Sequence, residues 1–234
     1  MSSQQQWLIL CEHSSHSLPK WAKPYYTKEA LKLLDSHFGW DQGTPELAQI
    51  LARGLGATVH FGEHSRLLID LNRSLDSKTL WSPWSRFMPE KLKERVIKKY
   101  YLPYRQTARE SLLRLRKKGP TIIYAIHSFT PSWKGKKRKT DIGLLFSHNS
   151  SRERKLAKRV REELIHHLPD WNIHFNLPYR GFTDCFLNDL LRENRSQKDV
   201  IGLFIELNQS RVATVTQRRQ LGEILRKSFL QVRV

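Results

Sequence analysis

The sequence contains little cysteine and no long apolar segment. Its 234 residues include only two thiols, Cys11 and Cys185, which lie in unrelated contexts and are too few for a disulfide framework. The polar start, MSSQQQ, is followed by an apolar run from Trp7 to Cys11 that is far shorter than a membrane span or the core of a signal peptide. We therefore expect a cytoplasmic protein with reduced thiols and no membrane partner.

Acidic residues are scarce relative to basic ones. The chain has 22 Asp and Glu against 41 Lys and Arg, a formal charge of +19, which favours anionic partners. The basic residues concentrate at 91–118, 134–139 and 152–161. Apolar residues recur at helical spacing in the first and third of these segments, so their charges are interpreted as solvated helix faces. A nucleic-acid-binding protein is an alternative, because aromatic and basic residues alternate at 80–87 and 98–106.

The chain has the length and the apolar content of one domain spanning residues 1–234. With 39% hydrophobic residues, no repeat and no linker-like segment, it can bury one large core. Short β-rich runs predict strands at 7–11, 57–61, 67–71, 121–126, 142–146, 172–176 and 201–207. Helical spacing predicts helices at 28–38, 45–54, 90–118, 151–168, 183–194 and 213–231, with Thr44, Ser150 and Thr183 as N-caps. This alternation predicts an α/β fold, a three-layer sandwich around a mostly parallel sheet.

Polar residues follow four of the predicted strands, where such sheets bind their ligands. They are Glu12, His13 and His16 after the first strand, Asn72 and Arg73 after the third, His127 and Ser128 after the fourth, and Glu206 with Asn208 in and beyond the last. Each one alone has an ordinary structural explanation. Their joint occurrence at four strand ends indicates a functional site.

Glu206 is the most informative of these residues. Its apolar flanks make an ionised carboxylate costly and should raise its pKa toward neutrality, which suits a general base. Neutral imidazoles and a carboxylate are the side chains that hold zinc while leaving one position open. The planar fork of Arg73 and the amide of Asn72 suit a substrate carboxylate. The pattern therefore predicts metal-assisted hydrolysis.

Eight sequence blocks resemble the N-formylglutamate amidohydrolase family. In chain order they are CEHSSHSLP, GWDQGTPELAQILA, SRLLIDLNRSL, YLPYRQ, HSFTP, DIGLLF, NLPY and IELNQ, spread over residues 11–209. That family is similar in fold to the zinc carboxypeptidases and aspartoacylases, whose Asn-Arg clamp and catalytic-glutamate strand resemble IDLNRSL and FIELNQ. The resemblance implies a zinc-exopeptidase-like sandwich with a mixed sheet. It also implies an amidohydrolase with one Zn²⁺ that removes an N-formyl or N-acyl group from an acidic amino acid such as N-formyl-L-glutamate.

The resemblance also implies roles for individual residues. They are zinc binding for His13 and His127, proton transfer for Glu206, and binding of the substrate α-carboxylate for Asn72 and Arg73. The carboxypeptidase pattern has a glutamate where this chain has His16, which leaves the third ligand open. Asp41, whose neighbouring glycines permit a close backbone approach, is the preferred third ligand, and His16 is the alternative.

Five further residues are predicted around this centre. Arg66, Arg138 and Tyr179 are candidates for binding the substrate, Arg138 and Tyr179 (with Arg180 beside it) at its distal acid. Glu12 and Ser128 are expected to contact the ligands rather than the metal, Glu12 by orienting His13 or holding a basic side chain. Ser128 is a poor candidate nucleophile because no Gly-x-Ser-x-Gly turn surrounds it. A zinc amidase or carboxypeptidase acting on a peptide-like substrate is a further alternative.

Overall fold

A six-stranded sheet with helices on both faces forms the body of the protein. The structure, a computed structural model, describes residues 4–181 and 183–233. Its strands are β1 (Gln6–Cys11), β2 (Thr58–Phe61), β3 (Thr121–Phe129), β4 (Ser132–Trp133), β5 (Lys136–Lys137), β6 (Ile142–Leu145), β7 (Ile173–Phe175) and β8 (Val200–Asn208). Its α-helices are α1 (Lys28–Lys32), α2 (Thr44–Leu55), α3 (Glu90–Val96), α4 (Leu102–Arg116), α5 (Ser151–His167), α6 (Phe186–Glu193) and α7 (Val215–Gln231).

The main sheet is mixed and mostly parallel, which confirms the predicted fold class. Its strand order is β2-β1-β3-β8-β6-β7, and β4 and β5 form a separate hairpin. The pairs β2–β1, β1–β3, β3–β8 and β6–β7 are parallel, whereas β6 runs antiparallel to β8. The carboxyl ends of β1, β3 and β8 therefore meet at one edge of the sheet.

Two apolar layers separate the sheet from its helices. Tyr124 of β3 packs in the layer beneath α2, α5 and α7, whereas Ile123 packs in the layer beneath α1, α3, α4 and α6. Successive strand residues point to opposite faces, so each strand contributes to both layers. This arrangement is the predicted three-layer sandwich.

The long predicted helix at 90–118 is divided by a π turn, Ile97–Tyr101, between α3 and α4. Within the turn the Leu102 N–H donates to the Ile97 carbonyl, one residue further back than in an α-helix. Pro103 follows directly and has no N–H to donate to the preceding turn. The interruption therefore coincides with a break in the helical hydrogen-bond ladder.

The predicted strand at 67–71 is wrong. The segment is buried, but it turns instead of joining the sheet: Leu68 N–H donates to the Ser65 carbonyl and Arg73 N–H to the Asp70 carbonyl. A short apolar run signals burial, and periodicity alone does not distinguish a strand from a buried turn. Asn72 and Arg73 therefore follow a buried loop in the chain rather than a strand.

One of the three predicted N-caps is confirmed. The Ser150 side chain accepts a hydrogen bond from the Glu153 N–H at the start of α5. The prediction for Thr44 is wrong, because Gly43 caps α2 with a left-handed backbone and the Thr44 hydroxyl donates to the Asp41 carbonyl. The prediction for Thr183 is also wrong, because α6 begins only at Phe186.

Over residues 4–181 and 183–233, every helix is too short or too polar to cross a bilayer.

Candidate metal centre and substrate cavity

Three buried side chains converge at the edge of the sheet where β1, β3 and β8 end. One ligand atom from each of His13, Asp41 and His127 lies within 4.8 Å of the other two. The Oδ2 atom of Asp41 is 2.9 Å from His127 Nδ1 and 3.4 Å from His13 Nδ1. Two imidazole nitrogens and one carboxylate oxygen at these separations suit a single divalent cation.

The loop before α2 brings Asp41 to the two histidines. The Asp41 N–H donates to the His13 carbonyl over 2.9 Å, which ties this loop to the end of β1. Glycine is required on both sides: a Cβ at Gly39 would lie 2.2 Å from the Leu34 carbonyl oxygen, and Gly43 has a φ of +84°. These two glycines allow the tight turn that places Asp41 beside the histidines.

A carboxylate lies behind each imidazole. His13 Nε2 contacts Asp70 Oδ1 at 2.7 Å, and His127 Nε2 is 3.4 Å from Glu12 Oε2. To bind a cation through Nδ1, each imidazole would be neutral and carry its proton on Nε2, the nitrogen that faces Asp70 or Glu12. A carboxylate behind Nε2 favours that tautomer, an arrangement typical of metal-binding histidines.

Arg66 balances the buried carboxylates. Its guanidinium donates to Asp70 Oδ2 over 2.8 Å and lies 3.8 Å from Asp41 Oδ1. Burial alone would raise the pKa of Asp70, but the charges of Arg66 and His13 hold that pKa well below its ordinary value. Burial would also raise the pKa of Asp41, but His13 and His127 hold it low. Both carboxylates are thus ionised at neutral pH.

Three buried carboxylates, Glu12, Asp41 and Asp70, lie against the two histidines, and one guanidinium, that of Arg66, lies beside them. Burial alone would lower the pKa of His127, yet its hydrogen bond to Asp41 and the nearby carboxylates of Asp41 and Glu12 raise it well above its ordinary value. His13 Nδ1 is buried and has no hydrogen-bond partner among the described residues. A cation held between these groups would satisfy both the orphan nitrogen and the excess negative charge.

Glu206 lies beside the three residues. It is only 7% exposed, its Oε2 has no hydrogen-bond partner among the described residues, and burial raises its pKa from 4.5 to about 7. The nearby charges of His127 and His13 offset part of this effect, and that of Asp41 adds to it. Gly143, on the neighbouring strand β6, is paired with Glu206. A Cβ at Gly143 would lie 3.2 Å from Glu206 Cβ and 2.0 Å from the Leu177 carbonyl oxygen. Glycine at 143 therefore leaves room for both neighbours.

A cavity of about 210 Å³ opens onto this group. It is small compared with the roughly 300–1,000 Å³ of pockets that hold drug-sized molecules. Its lining consists of His13, Asp41, Arg66, Asn72, Arg73, His127, Ser128, Leu145, Tyr179, Arg180, Thr183, Cys185, Phe204 and Glu206. Three arginines and the candidate ligands thus surround a space of small-molecule size.

Asn72 and Arg73 are held on the wall of this cavity by contacts to α6 and the residues before it. The Asn72 Oδ1 accepts a hydrogen bond of 2.8 Å from the Phe186 N–H, the first residue of α6. The Arg73 guanidinium donates to the carbonyls of Asp184, over 2.8 Å, and Asn72, over 3.2 Å. In the described part of the chain it forms no ion pair with a carboxylate, so its charge is available to a ligand.

A family model described as N-formylglutamate amidohydrolase matches residues 5–213. The chain belongs to this family. A relative, the N-formylglutamate deformylase of Pseudomonas putida, is 31% identical over 140 residues, which are 52% of this chain and 51% of that protein. The alignment thus spans about half the length of that relative.

Two solved structures share the fold. A gene product of Agrobacterium tumefaciens has a TM-score of 0.75 at 20% identity, covering 98% of this chain and 92% of that one. The N-formylglutamate amidohydrolase of Ralstonia eutropha JMP134 has a TM-score of 0.70 at 18% identity, covering 99% of this chain and 96% of that one. At these identities the comparison shows the fold alone.

Arg138, Tyr179 and Ser128, which are also predicted around the centre, are each in contact with neighbouring groups. The Arg138 guanidinium packs 5.3 to 5.6 Å from the rings of Phe129, Trp133 and Tyr179 and donates to the Tyr179 hydroxyl. Tyr179 lines the cavity, whereas Arg138 stands behind it. The Ser128 hydroxyl donates to the Gln42 carbonyl over 3.0 Å. That hydroxyl is engaged with the backbone and is not poised as a nucleophile.

The structure does not bring His16 to the centre. Its side chain is 53% exposed, pairs with Asp35 at 2.5 Å and stacks on Trp40 with ring centroids 5.1 Å apart. His16, the alternative third ligand, therefore lies away from His13 and His127 and does not complete the metal centre.

The two carboxylates behind the histidines differ from the sequence prediction. Glu12 is predicted to orient His13 or to hold a basic side chain, but it lies 3.4 Å from His127 Nε2. The signal was the parity of β1, because Glu12 continues the face of Leu8 and Leu10, the face on which His127 also lies. Asp70 is an acidic residue inside the apolar run LLIDL, and such a residue needs buried partners, which here are His13 and Arg66.

Proposed function

We propose that this protein is a zinc-dependent amidohydrolase that removes a formyl or other small acyl group from the nitrogen of an acidic amino acid, such as N-formyl-L-glutamate. One observation carries the proposal: the His13–Asp41–His127 cluster, Glu206 and the Asn72–Arg73 pair all face a single small cavity. Family membership supports the same reaction class.

His13, Asp41 and His127 are the residues that would hold the metal. The fit is supported by the buried, unpartnered Nδ1 of His13 and by the carboxylates behind both imidazoles. Nitrogen ligands with one carboxylate favour zinc over magnesium or calcium. When bound, the ion supplies Lewis-acid polarisation of the substrate carbonyl and lowers the pKa of water.

Glu206 is the proposed general base and acid. It takes a proton from the attacking water, whose oxygen adds to the acyl carbon, and returns that proton to the leaving nitrogen as the carbon–nitrogen bond breaks. The products are a carboxylate, formate for a formyl substrate, and the free amino acid. A pKa of about 7 allows the same carboxyl group to accept and donate near neutrality.

The substrate carboxylates are assigned to the cavity arginines. We assign the α-carboxylate to the Arg73 guanidinium and the Asn72 amide, and the distal acid to Tyr179 and Arg180 on the opposite loop. Arg66 is engaged with Asp70 and Asp41, so we assign it to the metal centre rather than to the substrate. Arg138 supports Tyr179 by packing against its ring.

The cavity size favours a small substrate over the alternatives. A space of about 210 Å³ suits an acyl amino acid, whereas a peptide-like substrate or a nucleic acid would need an open groove. The charge of +19 is distributed over surface helices and the β4–β5 hairpin, and it supports the acidic substrate only weakly because salt screens distant charges.

The test combines metal analysis with a substrate panel. Purified protein should contain one equivalent of zinc, and it should release free amine from N-formyl-L-glutamate faster than from N-formyl-leucine, with activity lost to a chelator. Glu206→Gln should retain the zinc and lose turnover by about 10²- to 10⁴-fold. Glu110→Gln, an exposed change on α4, should behave as wild type. Metal-free protein, or a Glu206→Gln variant with full activity, would refute the proposal.

A further inference from the structure

The sequence block YLPYRQ, residues 101–106, has no part in the chemistry above, yet it lies directly behind the Asn72–Arg73 pair. The Tyr101 hydroxyl donates to the Arg73 carbonyl over 2.7 Å. The Arg105 guanidinium donates to the same carbonyl over 3.1 Å and to the Leu71 carbonyl over 3.3 Å. Two donors from one helix thus hold the backbone on both sides of Asn72.

The backbone of this loop depends on such donors. Because residues 67–71 turn instead of pairing with a strand, the carbonyls of Leu71 and Arg73 have no sheet partner. Buried carbonyls need a hydrogen bond, and here side chains supply it. Hydrogen bonds to Asp70 hold the N–H groups of Asn72 and Arg73 from within the loop, whereas the flanking carbonyls are held from outside it.

Arg105 is itself fixed in place. It is only 5% exposed, forms an ion pair with Asp189 of α6, and packs with its guanidinium 4.2 Å from the centre of the Phe186 ring and 5.1 Å from that of Tyr101. The same α6 donates its Phe186 N–H to the Asn72 side chain. One helix therefore anchors both the side chain of Asn72 and the arginine that holds the backbone around it.

A structural role alone explains this arrangement poorly. A buried arginine–carboxylate pair loses much of its Coulomb energy to desolvation, and well-packed apolar residues often stabilise a core as well or better. What apolar residues cannot do is donate two directed hydrogen bonds to chosen carbonyls. Tyr101 ends the π turn and Arg105 lies four residues later, so both side chains reach the same side of α4.

We propose that Tyr101 and Arg105 are positioning residues that hold Asn72 and Arg73 in the geometry that receives the substrate α-carboxylate. This inference rests on the proposed function, which assigns the α-carboxylate to that pair. Tyr101 and Arg105 act only through the backbone of residues 71–73.

The first test is Tyr101→Phe, which removes one oxygen atom and keeps the ring. The KM for N-formyl-L-glutamate should rise about threefold to tenfold while kcat stays within about twofold, because the loss falls on substrate binding. With the α-carboxamide analogue of the substrate, the variant should match wild type. Arg105→Lys keeps the charge beside Asp189 but loses the planar fork, and it should change KM in the same direction.

Tyr26→Phe is the matched control. Tyr26 is also buried, and its hydroxyl donates over 2.7 Å to the Leu67 carbonyl, five residues before Asn72 in the same loop. It should lower the melting temperature to a similar extent and leave KM unchanged.

A second readout does not depend on turnover. Amide hydrogen exchange, measured on the zinc-loaded protein by mass spectrometry, should become about tenfold faster at residues 71–74 in Tyr101→Phe and Arg105→Lys, but not in Tyr26→Phe. Wild-type protein that fails to hydrolyse N-formyl-L-glutamate would refute the proposed function, and faster exchange would then show only that the two residues hold the loop. An active wild-type enzyme with an unchanged KM in both variants would overturn the inference alone. Unchanged exchange and unchanged KM in both variants, with only a lower melting temperature, would overturn it.

Discussion

His127 and Glu206 are direct partners in the parallel register of β3 and β8, so a proposed metal ligand and the proposed base lie side by side on neighbouring strands. Paired residues point to the same face of a sheet, and neighbouring strands are about 4.8 Å apart. Their relative position is thus set by the central ladder of the fold rather than by a loop. Such a scaffold holds reacting groups with little freedom.

The activity should depend on pH through Glu206. The base must be ionised to accept a proton, so kcat/KM for N-formyl-L-glutamate should rise as the pH increases through its pKa. Burial raises that pKa to about 7, and a bound cation would lower it, so the rise should be centred at or below pH 7. A profile measured from pH 5 to pH 9 checks this, and a rate that falls over the lower half of the range contradicts the assignment.

Glu206 should also make the metal-free protein less stable above neutral pH. Its pKa is about 7 when folded and 4.5 in its ordinary state, so the unfolded chain ionises first and the stability falls as the pH rises through this window. The difference corresponds to about 3 kcal/mol at pH 8. Glu206→Gln should therefore stabilise the metal-free protein at pH 8 and have little effect below pH 4.5.

Denaturant unfolding at both pH values measures that difference. Glu110→Gln serves as the control, because Glu110 is exposed on α4. An equal effect of Glu206→Gln at pH 8 and at pH 4 would show that the carboxyl group carries no burial penalty.

Asp70 should strengthen metal binding through His13. Asp70→Asn removes the carboxylate 2.7 Å from His13 Nε2, and zinc affinity should fall about tenfold to a hundredfold. The chain offers a matched control in Asp35→Asn, since Asp35 pairs in the same way with His16, away from the centre. Competition with a chromophoric chelator measures both affinities. A loss in the Asp35 variant equal to that in the Asp70 variant would contradict the site.

Arg73 should bind the substrate through its planar fork. Arg73→Lys keeps the charge but presents a single ammonium group, so KM for N-formyl-L-glutamate should rise about tenfold or more with a smaller change in kcat. Arg53→Lys, an exposed change on α2, should leave both constants unchanged. Steady-state kinetics measure KM and kcat for both variants. A wild-type KM in Arg73→Lys would show that Arg73 does not bind the substrate.

The sequence predicted the sheet and the region of the site because burial and strand ends leave a local signal. His13, His127 and Glu206 each follow or lie within an apolar run, and Asp41 lies between two glycines that mark a tight turn. The structure places all four side chains on one cavity. Their roles in metal binding and proton transfer remain proposals.

What the sequence could not predict depends on how distant segments meet. The partners of Asp70 are Arg66 and His13 because residues 67–71 turn, whereas a strand would have directed Asp70 elsewhere. His16 has the spacing of a carboxypeptidase ligand, but it lies on the exposed side of its loop beside Asp35. Neither the partners of Asp70 nor the exposure of His16 can be read from a periodic pattern in the local sequence.

The π turn at Ile97–Tyr101 contains one residue more than a regular α-helical turn would, and this residue affects how α3 is oriented relative to α4. Each residue of an α-helix advances the chain by about 100° around the axis. Deleting one residue from the turn would convert it to a regular helix and swing α3 around α4 by about that angle, while Pro103 and Arg105 kept their places. The extra residue therefore sets the rotation of α3 relative to α4, and a deletion placed before Tyr101 would turn α3 while leaving Tyr101 and Arg105 at the loop 71–73.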